Sequence, residues 1–239
     1  MLPFFYQENL PDTPLIVLNE STSKHCIHVL RMQIGDSVML TDGKGLNIKA
    51  TIAAPDRKHC SVQVVARKTE QNLAPYFSLG ISFTKNNSRN EWLLEKATEM
   101  GICNIYPLIT QRSEREKIKP ERLHNILVSA MLQSQQCFLP TLHETMTLTH
   151  FLKHEVDILS SSQLLIAHCL EEEKNTLLSS YEVGKNALVL IGPEGDFSNE
   201  EVDLCLQNGF KAVSLGQHRL RTETAGLYAC TIFNAMNHA

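Results

Sequence analysis

The rhythm of apolar and polar positions changes near residue 70. Before that point apolar residues come in short β-rich runs: Leu15-Ile16-Val17-Leu18, Ser37-Val38-Met39-Leu40-Thr41, residues 47–52 and residues 61–66. Asp42-Gly43-Lys44-Gly45, between two of these runs, is a hairpin signal, and Ser21 to Met32 reads as a short helix. Together they predict a small β-barrel or sandwich, with a linker over Gln71 to Pro75. After residue 76 strands alternate with helices. Phe77 to Phe83, Ile105 to Leu108, Leu164 to His168, Ala187 to Ile191 and Lys211 to Leu215 are the expected strands. Ser88-Arg89-Asn90-Glu91 has capping-box spacing and its helix should end at Gly101; Ser198-Asn199-Glu200-Glu201 is a second box, with Gly209 closing its helix. Pro120 suits the first turn of a helix whose apolar positions 123, 126, 127, 130 and 131 share one face. Positions 225, 228, 229, 232, 233 and 236 predict the core stripe of a last helix. Such alternation implies an α/β fold with a parallel sheet covered by helices.

At 239 residues the chain suffices for one large domain or two modest ones. A hydrophobic content of 43% supplies a core, and no apolar run reaches the length of a membrane span. The N-terminus, Met1-Leu2-Pro3-Phe4, lacks the basic start and cleavage site of a signal peptide, so a cytoplasmic protein is expected. Seven cysteines are scattered singly, without a Cys-x-x-Cys pair, which argues against a disulfide framework and against zinc. His25-x-x-His28 and His150-x-x-x-His154 have ligand-like spacing, but no cysteine or carboxylate set completes either, and no metal is expected. The net charge of −4 is uneven. Residues 1–123 carry 16 Lys+Arg against 13 Asp+Glu, whereas residues 124–239 carry 6 against 13. A purely electrostatic nucleic-acid binder would be more basic overall, but a basic face on the first half remains open.

Two loops carry the chemistry. Ile191-Gly192-Pro193-Glu194-Gly195 is a tight turn behind an apolar strand, and Leu215-Gly216 through Leu220-Arg221-Thr222-Glu223-Thr224-Ala225 opens the last helix. Ligands of open α/β sheets sit beyond the carboxyl ends of the strands, where both loops point. Glycine loops before helices usually suit phosphate. Here Glu194, Asp196, Glu200 and Glu201 crowd the helix start, no Lys-Ser/Thr follows, and carboxylates repel phosphate. A neutral or cationic ligand fits better, and S-adenosylmethionine, a sulfonium without phosphate, is such a ligand. Arg221 and Glu223 read either as site residues or as a structural ion pair; His168 lines the pocket or is a core histidine.

These residues resemble the RsmE family, bacterial 16S ribosomal RNA uridine N3-methyltransferases of the SPOUT superfamily. Gly192-Pro193-Glu194-Gly195-Asp196-Phe197-Ser198 is similar to the family's Gly-Pro-Glu-Gly-Gly-Phe-Ser loop, with Asp196 in place of the last glycine of that pattern. Leu220-Arg221-Thr222-Glu223-Thr224-Ala225 is similar to its Leu-Arg-x-Glu-Thr-Ala loop. His28-Val29-Leu30-Arg31 with Gly35-Asp36, Lys96-Ala97-Thr98-Glu99-Met100-Gly101, Arg112-Ser113 and Gln133-Ser134 extend the likeness over the chain. Two further departures stand at His218, followed by Arg219, and at Gln135-Gln136, where many members carry arginine.

The resemblance implies a PUA-like RNA-binding β-barrel over residues 1–72 and a SPOUT methyltransferase domain with a trefoil knot and parallel sheet over residues 73–239. It implies S-adenosylmethionine as cofactor, a homodimer through the C-terminal domain, and a uridine in the decoding region of 16S rRNA in the small ribosomal subunit as acceptor. His168, Ile191, Gly192, Pro193, Glu194, Gly195, Leu215, Gly216, Leu220, Arg221, Thr224 and Ala225 would hold the cofactor. Arg221 would stabilise negative charge developing on the uracil, with Glu223 orienting it. Arg31, Lys85, Arg89, Arg112 and Arg219 are the leading RNA contacts, within a wider basic set of Arg57, Lys58, Arg67, Lys68, Arg115, Lys117 and Lys119. Rival readings are 2′-O-ribose methylation, a non-catalytic RNA-binding factor that keeps the fold, and a nucleotide-binding enzyme, which the acidic loop opposes.

Overall fold

Alternating apolar positions before residue 70 fold as strands because each can bury one face. The computed structural model describes residues 2–72, 74–114, 119–156, 162–170 and 173–238. Its contacts separate two compact units, Met1–Asn72 with Met131–Leu139, and Leu73–Ala130 with Pro140–Ala239.

The first unit runs β1 (Phe4–Tyr6), β2 (Leu15–Val17), α1 (Glu20–Lys24), β3 (Ser37–Thr41), β4 (Leu46–Ala54) and β5 (Ser61–Thr69). A π-helical turn, His25–Val29, prolongs α1, so the expected helix over Ser21 to Met32 is shorter and changes pitch. Among the described residues the strands form one sheet, in the order β1-β3-β4-β5-β2, antiparallel except for the parallel β1–β3 pair. In β4, Ile48, Ala50 and Ile52 are buried while Lys49 faces water. They join Ile16, Val38, Leu40 and Val62 in one apolar cluster, which requires the single sheet to curl on itself. The hairpin signal holds: Asp42 Oδ1 accepts from the backbone N–H groups of Lys44 (2.8 Å) and Leu46 (3.1 Å). Segment Met131–Leu139, remote in sequence, belongs to this unit, unlike the expected division after residue 72. It clamps the hairpin turn, Gly45 N–H donating to Cys137 O (2.9 Å) and Leu139 N–H to Gly43 O (2.8 Å).

The second unit contains β6 (Phe77–Ile81), α2 (Asn87–Glu99), β7 (Asn104–Ile109) and α3 (Pro120–Gln133), whose last turn enters the segment just described. There follow β8 (Thr141–Leu142), β9 (Met146–Thr147), α4 (Leu148–His154), β10 (Gln163–Ala167), β11 (Asn175–Thr176) and α5 (Leu177–Ser180). The chain ends with β12 (Ala187–Ile191), α6 (Asn199–Gln207), β13 (Lys211–Ser214) and α7 (Thr222–His238). The sheet order is β11-β13-β10-β12-β6-β7-β8, with β9 also on β7, and every described pairing is parallel. All five residues of β12 and of β6 are buried, as strands covered on both faces must be. Leu188 and Leu190 pack with Tyr106, Leu108, Phe151, Ile166 and Phe197.

Two helix readings are corrected. The cap of α2 is Asn86, whose side chain accepts from Ser88 N–H at 3.0 Å; Ser88 lies inside the helix. Glu91 cannot reach back as a box partner because it is engaged by Arg122, with Nε 2.6 Å from one oxygen and Nη2 3.0 Å from the other. The box at Ser198 and Glu201 is complete. On α7 the buried face is centred on Thr222, Ala229 and Phe233. Tyr228 lies about 120° from that centre at 100° per residue, and it is 41% exposed instead of lying in the core stripe.

Candidate active site

The loops after β10, β12 and β13 surround one cavity of about 530 Å³, within the ~300–1,000 Å³ usual for small-molecule sites. Ten of the twelve residues expected at the cofactor line it: His168, Ile191, Gly192, Pro193, Glu194, Leu215, Gly216, Leu220, Arg221 and Ala225. Gly195 and Thr224 do not. Thr224 points to solvent, and a Cβ at Gly195 would lie 3.2 Å from Arg112 Cβ.

Local sequence explains why the loops close so tightly. Gly192 approaches Phe197 so nearly that a Cβ would meet its ring and its backbone nitrogen at 3.1 Å. Phe197 is fully buried in the main core, so it anchors the turn from below. Gly216 has φ +123, a conformation that side-chain-bearing residues rarely adopt. Nearly every carbonyl of the first loop is engaged. Gly192 O accepts from the Thr222 hydroxyl (3.1 Å), Pro193 O from Asp196 N–H (2.9 Å), and Glu194 O from Arg219 Nη2 (3.1 Å). Arg112 Nη1 donates to Gly195 O (2.8 Å) and lies 3.3 Å from Phe197 O. Glu201, beyond its capping role, accepts from Gln111 N–H at 2.7 Å. The loop after β7 is thereby tied to the glycine loop by Arg112 and to the first turn of α6 by Gln111.

The wall after β10 is held by a lysine that the sequence pattern does not single out. Lys174 Nζ donates to His168 O (3.0 Å) and Leu170 O (2.5 Å), and lies 3.2 Å from His168 Nδ1. An ammonium only donates, so Nδ1 is the acceptor in that contact. His168 is buried at the end of β10, and both His168 and Lys174 line the cavity. Cys169, exposed beside them, has its thiol pushed up from the ordinary range by burial of the sulfur and then by the Asp196 carboxylate. Lys174 follows a run of three glutamates, Glu171 to Glu173, which in sequence reads as a solvated acidic patch.

Glu223 does not orient Arg221. Its Oε1 lies 3.6 Å from Arg89 Nε, whereas Arg221 is exposed at the cavity. Residues two apart at a helix start face different directions, which sends Glu223 towards α2 and leaves Arg221 at the loop. Glu223 Oε2 is buried and has no hydrogen-bond partner among the described residues.

Of the expected RNA contacts, Arg112 and Arg219 are committed to loop carbonyls, Arg89 to Glu223, and Lys85 to Glu114 at 2.8 Å. Arg31 is exposed at φ +56, just past the π-helical turn. Arg67 is engaged by Pro11 O, Thr13 O and Asp12, and Lys68 by Glu70. Arg57, Lys58 and Lys119 are exposed; Arg115 and Lys117 lie outside the described residues. Among the described residues no three His, Cys, Asp or Glu side chains gather as metal ligands, and no helix is long and apolar enough to cross a membrane.

A parallel-sheet domain with its last two loops around one cavity, matched over residues 72–234 to the RNA methyltransferase domain family, defines the class. Residues 18–65 match the RNA methyltransferase PUA domain. The Ribosomal RNA small subunit methyltransferase E of Rickettsia conorii is 30% identical, over 88% of this chain and 86% of its own length. The probable rRNA-methyltransferase of Porphyromonas gingivalis has a crystal structure with TM-score 0.90 and 38% identity, covering 99% of this chain and 98% of that one. The Ribosomal RNA small subunit methyltransferase E of Neisseria gonorrhoeae, solved with S-adenosyl methionine bound, gives TM-score 0.84 and 26% identity, covering 99% and 98%. The chain belongs to the ribosomal RNA small subunit methyltransferase E family.

Proposed function

We propose that this protein is an S-adenosylmethionine-dependent methyltransferase that modifies N3 of a uridine in the decoding region of 16S rRNA, within the small ribosomal subunit. The observation that carries this reading is the cavity lined by both loops: Glu194 and Asp196 stand on the glycine loop, while two of the lining cations, Lys174 and Arg219, are committed to backbone carbonyls. Carboxylates of this kind favour a sulfonium over a phosphate, and the Neisseria relative binds that cofactor. The reading places the protein in the cytoplasm as a homodimer through its C-terminal domain, which is knotted, with residues 1–72 as the RNA-binding barrel.

When bound, the cofactor supplies an activated methyl group. The chain must hold it, orient the uracil and keep water out. Ile191, Gly192, Pro193, Glu194, Leu215, Gly216, Leu220 and Ala225 form the holding surface, with His168 beside them. Arg221, at the cavity with an exposed side chain, is placed to stabilise negative charge on the uracil as the N3 proton leaves. Glu223 acts through Arg89 instead, fixing the start of α2 against α7. Arg31 and Lys85 are the proposed phosphate contacts, Lys85 exchanging its exposed pairing with Glu114 for a phosphate; Arg112 and Arg219 serve RNA by shaping the loop they clasp.

The test is methylation of small subunits from a strain lacking the enzyme, followed by nucleoside analysis. The methyl group should appear on uridine N3. A methyl on a ribose 2′-oxygen would replace this reading with the other, and no transfer by cofactor-binding protein would favour a non-catalytic factor.

A further inference from the structure

We infer that Asp196 is a positioning residue for the cofactor, a side-chain staple that holds two walls of the cavity together. The inference rests on reading that cavity as the S-adenosylmethionine site. Asp196 sits at φ +64, a left-handed conformation in which glycine is unstrained and other residues are not. Its carboxylate is fully used: Oδ2 accepts from Cys169 N–H at 2.7 Å and Oδ1 from Phe197 N–H at 2.9 Å. Cys169 follows β10, whereas Asp196 follows β12, and both line the cavity. One anion therefore joins the ends of two neighbouring parallel strands at the place where the ligand must fit.

The staple has a counterpart. Lys174 grips the carbonyls of His168 and Leu170 on either side of Cys169. The His168–Leu170 wall is thus held by a cation on its carbonyls and by an anion on its N–H. Bonds with one ionised partner are the stronger kind, and both anchors are of this kind. The fold does not need the Asp196 carboxylate. Phe197 is fully buried and the Ser198–Glu201 box starts α6 without it. What the carboxylate adds is a fixed width for the cavity, paid before the ligand arrives.

Asp196→Gly separates the two roles, because glycine relaxes the backbone and removes the staple at once. The variant should unfold close to the wild-type temperature, because the relaxed backbone offsets the bonds lost at Cys169 and Phe197, yet bind S-adenosylhomocysteine about tenfold more weakly by calorimetry, the order expected from losing the charge-assisted bond across the cavity. It should raise KM for the cofactor more than it lowers kcat. Asp196→Asn, which keeps an acceptor for Cys169 N–H, should recover most of the affinity. Undiminished binding by Asp196→Gly overturns the proposal. So does a fall in melting temperature that accounts for the lost affinity, since Asp196 would then be structural. Should wild type itself fail to bind, the cofactor reading falls first. Amide exchange at Cys169 then judges the staple alone, which predicts faster exchange in Asp196→Gly and is wrong if the rate is unchanged.

Discussion

The Thr222 hydroxyl donates to the Gly192 carbonyl at 3.1 Å, and this buried bond joins the two loops of the site across thirty residues of sequence. It sits where α7 begins and β12 ends. Removing the donor leaves Gly192 O buried without a partner, which costs about 1–3 kcal/mol. Thr222→Val, nearly isosteric, should therefore lower the denaturation midpoint by that amount and weaken binding of S-adenosylhomocysteine in calorimetry. If both stay at wild-type values, the loops are held together by packing alone.

Arg112 offers a choice between two roles. As a phosphate contact it would govern the salt dependence of binding to the ribosomal subunit. As a clasp on Gly195 O and Phe197 O it governs the cofactor loop. Arg112→Met should weaken cofactor binding several-fold and leave the slope of log K against log salt nearly unchanged. A slope shallower by about one, with cofactor affinity intact, would return Arg112 to the RNA-contact set. Arg31, exposed and unlike Arg112 in having no loop to hold, should show the opposite pattern on substitution by alanine.

Glu223 and Arg89 form an asymmetric pair: the glutamate side chain is 9% exposed and the arginine 36%. Truncating the arginine strands a buried carboxylate, whereas neutralising the carboxylate does not strand an equally buried cation. Arg89→Met should therefore cost about 2 kcal/mol, below the 3–5 kcal/mol for breaking a fully buried pair because water reaches the arginine. Glu223→Gln should cost less than half of that. Urea titrations of both variants decide the order, and the reverse order would place the main partner of Glu223 elsewhere.

Periodicity made most of the second unit legible. Strands such as Ala187–Ile191 appear where apolar runs of strand length end at glycine or proline, because burial on both faces leaves no polar position inside them. The two loops were legible because they combine glycine, proline and charge at strand ends. What escaped depends on contacts that no spacing encodes. Asn86 rather than Ser88 caps α2, its side chain accepting from Ser88 N–H, while Glu91 pairs with Arg122, a residue thirty-one positions on. Tyr228 fits the spacing of the apolar stripe, but α7 buries a face turned away from it, towards Thr222, Ala229 and Phe233. Lys174 hides behind a run of glutamates, and the partner of Glu223 is set by how α7 meets α2, so Arg221, adjacent in the motif, reads wrongly as its mate. The segment Met131–Leu139 returns to the first unit through backbone bonds to a hairpin turn, which leave no mark on side-chain pattern.

His143 gives the fold a pH dependence of definite sign. Its ring stacks on Tyr106 with centroids 3.9 Å apart and planes 13° apart, and Nε2 lies 3.3 Å from Asn104 Oδ1. Burial holds its pKa below the ordinary histidine value, with the Glu155 charge opposing by a smaller amount. The unfolded chain therefore takes up a proton near pH 6.5, while the folded protein does not until the pH is lower. Between those points the unfolded state binds more protons, so stability falls with falling pH. The contribution is complete above the unfolded value and is lost as pH drops from there through the lowered folded value. His143→Phe keeps a ring on Tyr106 and removes the titration. Urea midpoints measured from roughly pH 7 down to about pH 5 should decline less steeply in this variant than in wild type. Equal slopes would mean that His143 is protonated as readily in the folded protein as in the unfolded chain, and the stack on Tyr106 would then have to tolerate a charged ring.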